Sequence, residues 1–339
     1  MRIGINPEKF NKEILIENYH RVIVPVFIPH FDGYFAQLLD IFKLCLESLL
    51  LTSHTKTRVT IYNNNSHSEV KKYIDSMYLK SEMIDQVFHS KVNLGKINAI
   101  LAASKGNLEP LITITDADVL FKNGWQEEVE KVFIGFPEAG MVSPVPSSKA
   151  LNNFTSNNWY YGFFKGKLIF EDVKDPKAMN LFDLSLGRET PFYKPVHLEK
   201  YLVLKNKTSS AVMGCGHFVA TLKRDVFDKG TNIPAFVKIQ GGVENNFIDA
   251  PNENLGFLRL ATKGNYAFHM GNNTEPWMYD EFNLLKDSKL EGCDLKKIKY
   301  DRVGKIGNFL GRILIKLLNR KNTKKAILKY LGLKEVTNY

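Results

Sequence analysis

Between residues 21 and 135 the chain alternates short apolar, β-branched runs with stretches whose apolar residues recur every three or four positions, and few folds accept that alternation. Arg21-Val22-Ile23-Val24-Pro25-Val26-Phe27-Ile28-Pro29 reads as a strand whose prolines mark its end, because proline cannot donate to a sheet ladder. Phe35, Leu38, Leu39, Phe42, Leu46 and Leu49 follow at helical spacing over Tyr34–Leu51. Arg58–Tyr62, a polar helix, a short strand near Gln86–His89 and the run Leu111–Thr115 continue the pattern. The expectation is an α/β fold with a mostly parallel central sheet covered by helices on both faces. Ligands of such sheets gather at the carboxyl ends of the strands, where Pro25–Pro29, Asn63-Asn64-Asn65 and residues 116–118 all fall.

The last of these turns carries the chemistry. Leu111–Thr115 is a buried-strand pattern that runs directly into Asp116-Ala117-Asp118. Two carboxylates one residue apart repel unless a cation joins them. A hard divalent ion held by one or two carboxylates keeps positions open for water and phosphate oxygens, so Mn²⁺ or Mg²⁺ with a diphosphate-bearing ligand is the expectation.

Farther along, Asn123 with Gln126 suggests a capping box at a helix carrying Trp125, Val129, Val132 and Phe133, and Gly140–Val145 reads as a strand. Periodicity weakens over 146–208, which predicts partly irregular structure. Ala211–Thr221 reads as one strand, Glu253–Lys263 as a helix stopped by Gly264, and Tyr266–His269 as a strand.

The net charge of +10 belongs to one end: Leu295–Tyr339 holds 13 basic and 2 acidic residues, and the remainder holds 33 and 34. A body with no basic surplus and a tail without interleaved aromatics argue against nucleic acid. In the tail, Val303, Ile306, Leu310, Ile313, Leu314 and Leu317 form an apolar stripe beside Lys305, Arg312 and Lys316, and Arg320–Lys334 is a second basic segment. Five such cations at about 1 kcal/mol each would hold an anionic leaflet by roughly 5 kcal/mol. Docking on the body, with the cations in water, is the other reading. Cys45, Cys215 and Cys293 lie far apart and read as buried small hydrophobes. No signal peptide and no run of about 18 apolar residues is visible, so a cytoplasmic protein, peripheral on the inner membrane face through its tail, is expected.

Taken together, these segments resemble the family 2 glycosyltransferases, nucleotide-sugar enzymes of the A-type fold. The likeness rests on the Pro25 turn after the first strand, the asparagine turn after the second, Asn93, Gly95, Lys96 and Asn98 before the aspartate strand, and Asp116/Asp118, and it covers roughly residues 21–272. It implies an N-terminal extension (1–20), a Rossmann-like nucleotide-sugar-binding half (21–145), an acceptor-binding and catalytic half of the same domain (146–290) and a basic helical tail (291–339). It also implies donor contacts from Pro25, Phe27, Asn63, Asn65, Gly95, Lys96, Asn98 and Asp116, and a metal held by Asp118, Asp116 and His269. Asn63 stands where the family usually carries an aspartate for uracil, and an amide oxygen still accepts that hydrogen bond, so a UDP-sugar is the expected donor.

An inverting transfer needs a carboxylate to take the acceptor proton. Asp249 is the first choice, with Glu253 and Glu244 as alternatives. Trp159 and Tyr160 would stack on an acceptor sugar, with Gly216 and His217 lining its pocket. The implied activity is metal-dependent sugar transfer to a glycan or lipid-linked acceptor in surface-polysaccharide synthesis. The rivals are an inert module of the same fold and a sugar nucleotidyltransferase, although Val22–Asp32 lacks the glycine-rich, lysine-bearing signature of the latter.

Overall fold

A computed structural model describes residues 3–10, 13–238, 242–287, 291–333 and 339. The first half runs β1 (His20–Val26), α1 (Leu38–Thr52), β2 (Thr57–Asn64), α2 (Ser68–Lys80), β3 (Ile84–Ser90), α3 (Lys96–Lys105), β4 (Leu111–Thr115), β5 (Val119–Phe121), α4 (Trp125–Gly135) and β6 (Ala139–Ser143). It continues with α5 (Ser156–Phe164), β7 (Lys167–Asp172), α6 (Pro176–Ser185), α7 (Pro195–Glu199), β8 (Lys200–Lys205), β9 (Ser210–Met213), β10 (Val219–Lys223) and α8 (Asp225–Asp228). Then follow α9 (Ala250–Asn254), β11 (Leu258–Ala261), β12 (Ala267–His269), α10 (Pro276–Asn283), α11 (Lys305–Leu318) and α12 (Lys321–Tyr330).

Ten strands form one sheet in the order β3-β2-β1-β4-β10-β6-β11-β9-β8-β7, and β12 pairs with β5 in a separate ribbon. β3, β2, β1 and β4 are parallel neighbours, as are β6 and β11, while β10 lies antiparallel between β4 and β6. Tracing the remaining antiparallel pairs leaves seven of the ten strands pointing one way. Side chains alternate across a strand, and β1 shows the result. Val22, Val24 and Val26 pack with Phe42 of α1 and Ile74 of α2 on one face, and Ile23 packs with Ile97 and Ile100 of α3 on the other.

Four sequence expectations are corrected. The segment expected to be a helix over Glu253–Lys263 is helical only to Asn254; Gly256 at φ 83° turns the chain, and Leu258–Ala261 becomes a central strand with every residue buried. A short apolar run buried on both faces carries no period that separates helix from strand. Ala211–Thr221 is two strands, β9 and β10, joined by a loop that carries Gly216 and His217. Residues 146–208 are mostly regular, holding α5, β7, α6, α7 and β8. Asn123 does not cap α4: Gly124 takes the cap position, Asn123 bonds the backbone of Lys286 at 2.7 and 3.0 Å, and Gln126 is buried.

The tail packs through small residues. A Cβ on Gly311 would collide with the carbonyl oxygen of Ser156, and one on Gly307 would lie 2.6 Å from the Tyr160 ring, so α11 approaches α5 at backbone distance. Asn308 donates to Asn157 Oδ1 at 2.8 Å, and Arg312 donates to Asn254 Oδ1 at 2.7 Å. Lys334, the end of the second basic segment, lies outside the described residues.

Candidate functional site

The turn after β4 sets two carboxylates against two different partners. Asp116 forms an ion pair with Lys96, the first residue of α3, whose ammonium also lies 3.4 Å from Glu244. Burial works against the Lys96 charge, but Asp116 and Glu244 outweigh it and hold the ammonium above its ordinary range. Asp118 instead faces His269 at the end of β12, with Oδ2 3.4 Å from Nε2. Burial pushes the Asp118 carboxyl up, and the Asp116 charge adds to this against His269 and Lys96. Its Oδ1 is buried without a hydrogen-bond partner.

Ser185 holds the His269 ring: its Oγ lies 2.7 Å from the Phe182 carbonyl and 2.8 Å from His269 Nδ1. With the serine proton on the carbonyl, Nδ1 carries the ring proton and the Nε2 lone pair turns toward Asp118. A lone pair facing a carboxylate oxygen, with the other oxygen orphaned, is a donor set suited to a divalent cation.

Beside this turn a slot of about 90 Å³ is lined by Pro25, Phe27, Asn64, Asn93, Lys96 and Asp116. The slot therefore gathers Pro25, Phe27, Lys96 and Asp116 from the sequence-based set, while the other members serve the backbone. Asn63 is committed: Oδ1 accepts from Ser66 N at 2.9 Å, and Nδ2 meets His89 at 2.9 Å. Asn98 bridges to the backbone of Ala235 at 2.7 and 2.9 Å. Asn65 is exposed with φ 70°, and Gly95 backs onto the Lys238 backbone. Asn64, which the sequence reading passed over, bonds Asn93 and the Leu94 amide, both at 2.9 Å, and so shapes the slot. Its only signal was position, one residue on from Asn63 and therefore on the opposite side of the strand.

On the far side of His269 lies a cavity of about 210 Å³ lined by Phe182, Tyr193, Gly216, His217, Phe218, Asn245, Asp249 and Arg259, among others. Phe182 and Phe218 touch both, with ring centroids 5.8 and 5.4 Å from that of His269. Asp249 is wholly enclosed: its oxygens lie 3.2 Å from His217 Nδ1 and 3.3 Å from Arg259 Nη2. Glu244 keeps partial exposure between Lys96 and the cavity, next to Asn245.

Three sequence-predicted residues lie elsewhere. Glu253 Oε1 accepts from Ser156 N and Oγ at 2.8 and 2.5 Å, which spends it on the first residue of α5. Trp159 is fully buried and donates to the Leu151 carbonyl at 3.0 Å, and Tyr160 packs on Gly307 and Phe164. Tyr160 serves the α5–α11 contact and Trp159 the core, and neither lines the cavity.

Among the described residues, it is His20, His54 and Glu130 that bring three potential ligand atoms within 4.8 Å of one another, whereas at the turn after β4 only Asp118 and His269 pair. The trio sits at the opposite end of the sheet, where β1 begins. Tyr19 and His54 bond Glu130 at 3.0 and 2.9 Å, and Gln126 reaches His20 at 3.2 Å. Burial opposes the Glu130 charge, but the hydrogen bonds from His20 and His54 hold its carboxyl below the usual range. These contacts make a buried polar network in which Glu130 Oε2 has no hydrogen-bond partner.

No protein-family model matches the sequence, and no curated protein does. Solved structures with a similar arrangement include a mannosyltransferase, PcManGT from Pyrobaculum calidifontis, in complex with GDP-Man and Mn²⁺. It is 14% identical, with 72% of this chain and 53% of that one covered and a TM-score of 0.41. GalNAc-T7 with UDP, GalNAc and Mn²⁺ is 14% identical over 77% of this chain and 45% of that one, at 0.44. The S. aureus TarS 1–349 structure is 12% identical over 78% and 63%, at 0.42. The chain thus spans about half to two thirds of the length of these proteins. At such scores the likeness is one of sheet arrangement, and what the site does must be argued from its own residues.

Proposed function

We propose that the protein is a metal-dependent glycosyltransferase that moves a sugar from a nucleoside-diphosphate donor to a glycan or lipid-linked acceptor. The observation that carries this reading is the Asp118–His269 pair, with its orphaned Oδ1 and with His269 Nδ1 held by Ser185. Asp118 and His269 would hold Mn²⁺ or Mg²⁺, which when bound offsets charge on the diphosphate. Lys96, released from Asp116, meets the phosphate oxygens, and the slot at Pro25, Phe27 and Asn64 takes the nucleoside. Phe182, Phe218 and Tyr193 give the acceptor cavity apolar walls of the kind that pack on sugar rings.

Glu244 is the base in this proposal, because it keeps partial exposure, lies 3.4 Å from Lys96 of the slot and precedes Asn245 of the cavity wall. It takes the proton from an acceptor hydroxyl as that oxygen bonds to the anomeric carbon. The carbon–oxygen bond to the diphosphate breaks on the opposite side with its electron pair, giving inversion. Asp249, buried in the cavity wall between His217 and Arg259, would serve as their counter-charge.

Calorimetric titration with UDP, GDP and dTDP, each with and without Mn²⁺, tests the reading. Metal-dependent binding of one of them, lost in Asp118→Asn, is expected; no binding of any would return the protein to the inert-module reading.

A further inference from the structure

Only the edge of the apolar stripe docks: Val303 and Leu314 pack on the core, while Ile306, Leu310 and Ile313 do not. An amphipathic helix on a protein surface normally turns its large apolar residues inward. Here Gly307, Gly311, Leu314 and Leu318, at four-, three- and four-residue steps, face α5 and the core, and both glycines are buried. Ile306, Phe309, Leu310 and Ile313 occupy a second face and remain 77%, 63%, 36% and 39% exposed. Lys305 and Lys316 project on a third face beside the apolar one, and Lys321, Lys325 and Lys329 of α12 are exposed at four-residue spacing. One helix thus carries a docked face, a bare apolar face and a cationic face, and its position is already set by α5.

We propose that this outer face of α11 seats the protein on an anionic phospholipid surface. Ile306, Phe309, Leu310 and Ile313 enter the boundary between headgroups and acyl chains, and the lysines meet the phosphates. Charge selects this occupant. Residues 295–339 carry 13 basic and 2 acidic residues, and a second copy packing isologously would press that cationic surface against itself. The helix needs no folding on contact, so little ordering cost opposes binding. Position adds a consequence. Arg312, Lys316 and Asn153 line a groove between α11 and α9, and Asn153 also lines the cavity that holds His217. The bilayer face and the acceptor cavity are therefore neighbours.

Sedimentation of the full chain with two kinds of vesicle tests this: phosphatidylcholine alone, and equal parts phosphatidylcholine and phosphatidylglycerol. At least about tenfold stronger partition into the anionic vesicles is expected, falling as salt rises. Phe309→Glu with Ile313→Glu should lose that partition with an unchanged melting temperature. Lys305→Glu with Lys316→Glu should lose the anionic preference, and keeps the test readable if the first pair loosens the helix. Equal partition into both vesicles, or wild-type partition by both variant pairs, would overturn the proposal. So would a wild-type dimer that Phe309→Glu converts to a monomer. None of these readings needs a sugar donor or a metal, so the proposal stands or falls apart from the transfer activity.

Discussion

His269 Nε2 lies 3.4 Å from Asp118 Oδ2, and its other ring nitrogen lies 2.8 Å from Ser185 Oγ. In the proposed metal site this serine would orient a ligand of a cation that it does not itself touch. Ser185→Ala is expected to weaken Mn²⁺ binding by about 10-fold or more while leaving the fold intact, as losing an outer-shell partner of a ligating histidine does. Calorimetric Mn²⁺ titration in the presence of the bound nucleoside diphosphate checks it, and an unchanged affinity would remove Ser185 from the site.

Glu244 and Glu253 give opposite expectations from the same substitution. Glu244→Gln should lower kcat by about 10²-fold or more with donor binding preserved, since a general base contributes on that scale. Glu253→Gln should leave kcat near wild type and cost about 1 kcal/mol through its bonds to Ser156, read as a lower denaturation midpoint. A large kcat loss in Glu253→Gln with no loss in Glu244→Gln would reverse the two roles.

The α5–α11 contact depends on a missing methyl group. Gly311→Ala sets a Cβ against the Ser156 backbone, which cannot swing aside as a side chain would, and should cost about 1–3 kcal/mol as overpacking. Thermal melts measure the loss, and faster proteolysis within 305–318 would show that it falls on the tail.

His197 makes stability depend on mild acid. Burial, with help from Lys149, Lys194 and Lys324, lowers its pKa from 6.5 to about 4. The unfolded chain therefore binds a proton between those values that the folded protein refuses. Stability is full above the unfolded value and falls as pH drops from 6.5 toward 4, by up to about 1.4 kcal/mol per unit. Unfolding free energies from urea titrations at pH 6.5 and 5 should differ by about 1.6 kcal/mol, and by much less in His197→Gln.

The parallel half of the sheet was legible in the sequence because its signals are local. β1, β2 and β4 each unite an apolar run with a turn, and α1 carries its period openly. β11 was misread because a strand buried on both faces shows no alternation, and Leu258, Leu260 and Ala261 fit a helix equally well. At the site, composition pointed to Asp116 and Asp118 as the focus but could not say which asparagine lines the slot or which carboxylate stays open. Those answers depend on strand phase and on distant partners, Ser66 for Asn63 and Ser156 for Glu253. The aromatic run at 159–161 carried the opposite error: rings suited to a sugar also suit a core, and Trp159 is in the core.

β10 has one further effect. It runs against the grain between β4 and β6, and the loop leading into it bears His217 and Phe218. The Phe218 carbonyl accepts the Asp116 amide proton at 2.7 Å, so the floor of one cavity and the rim of the other are joined by a single backbone hydrogen bond. In the proposed transferase, a loop that shifted to admit one substrate would pull on the seat of the other. The two halves of the cleft would then move as one mechanical part, and the order in which they fill would be a property of the backbone.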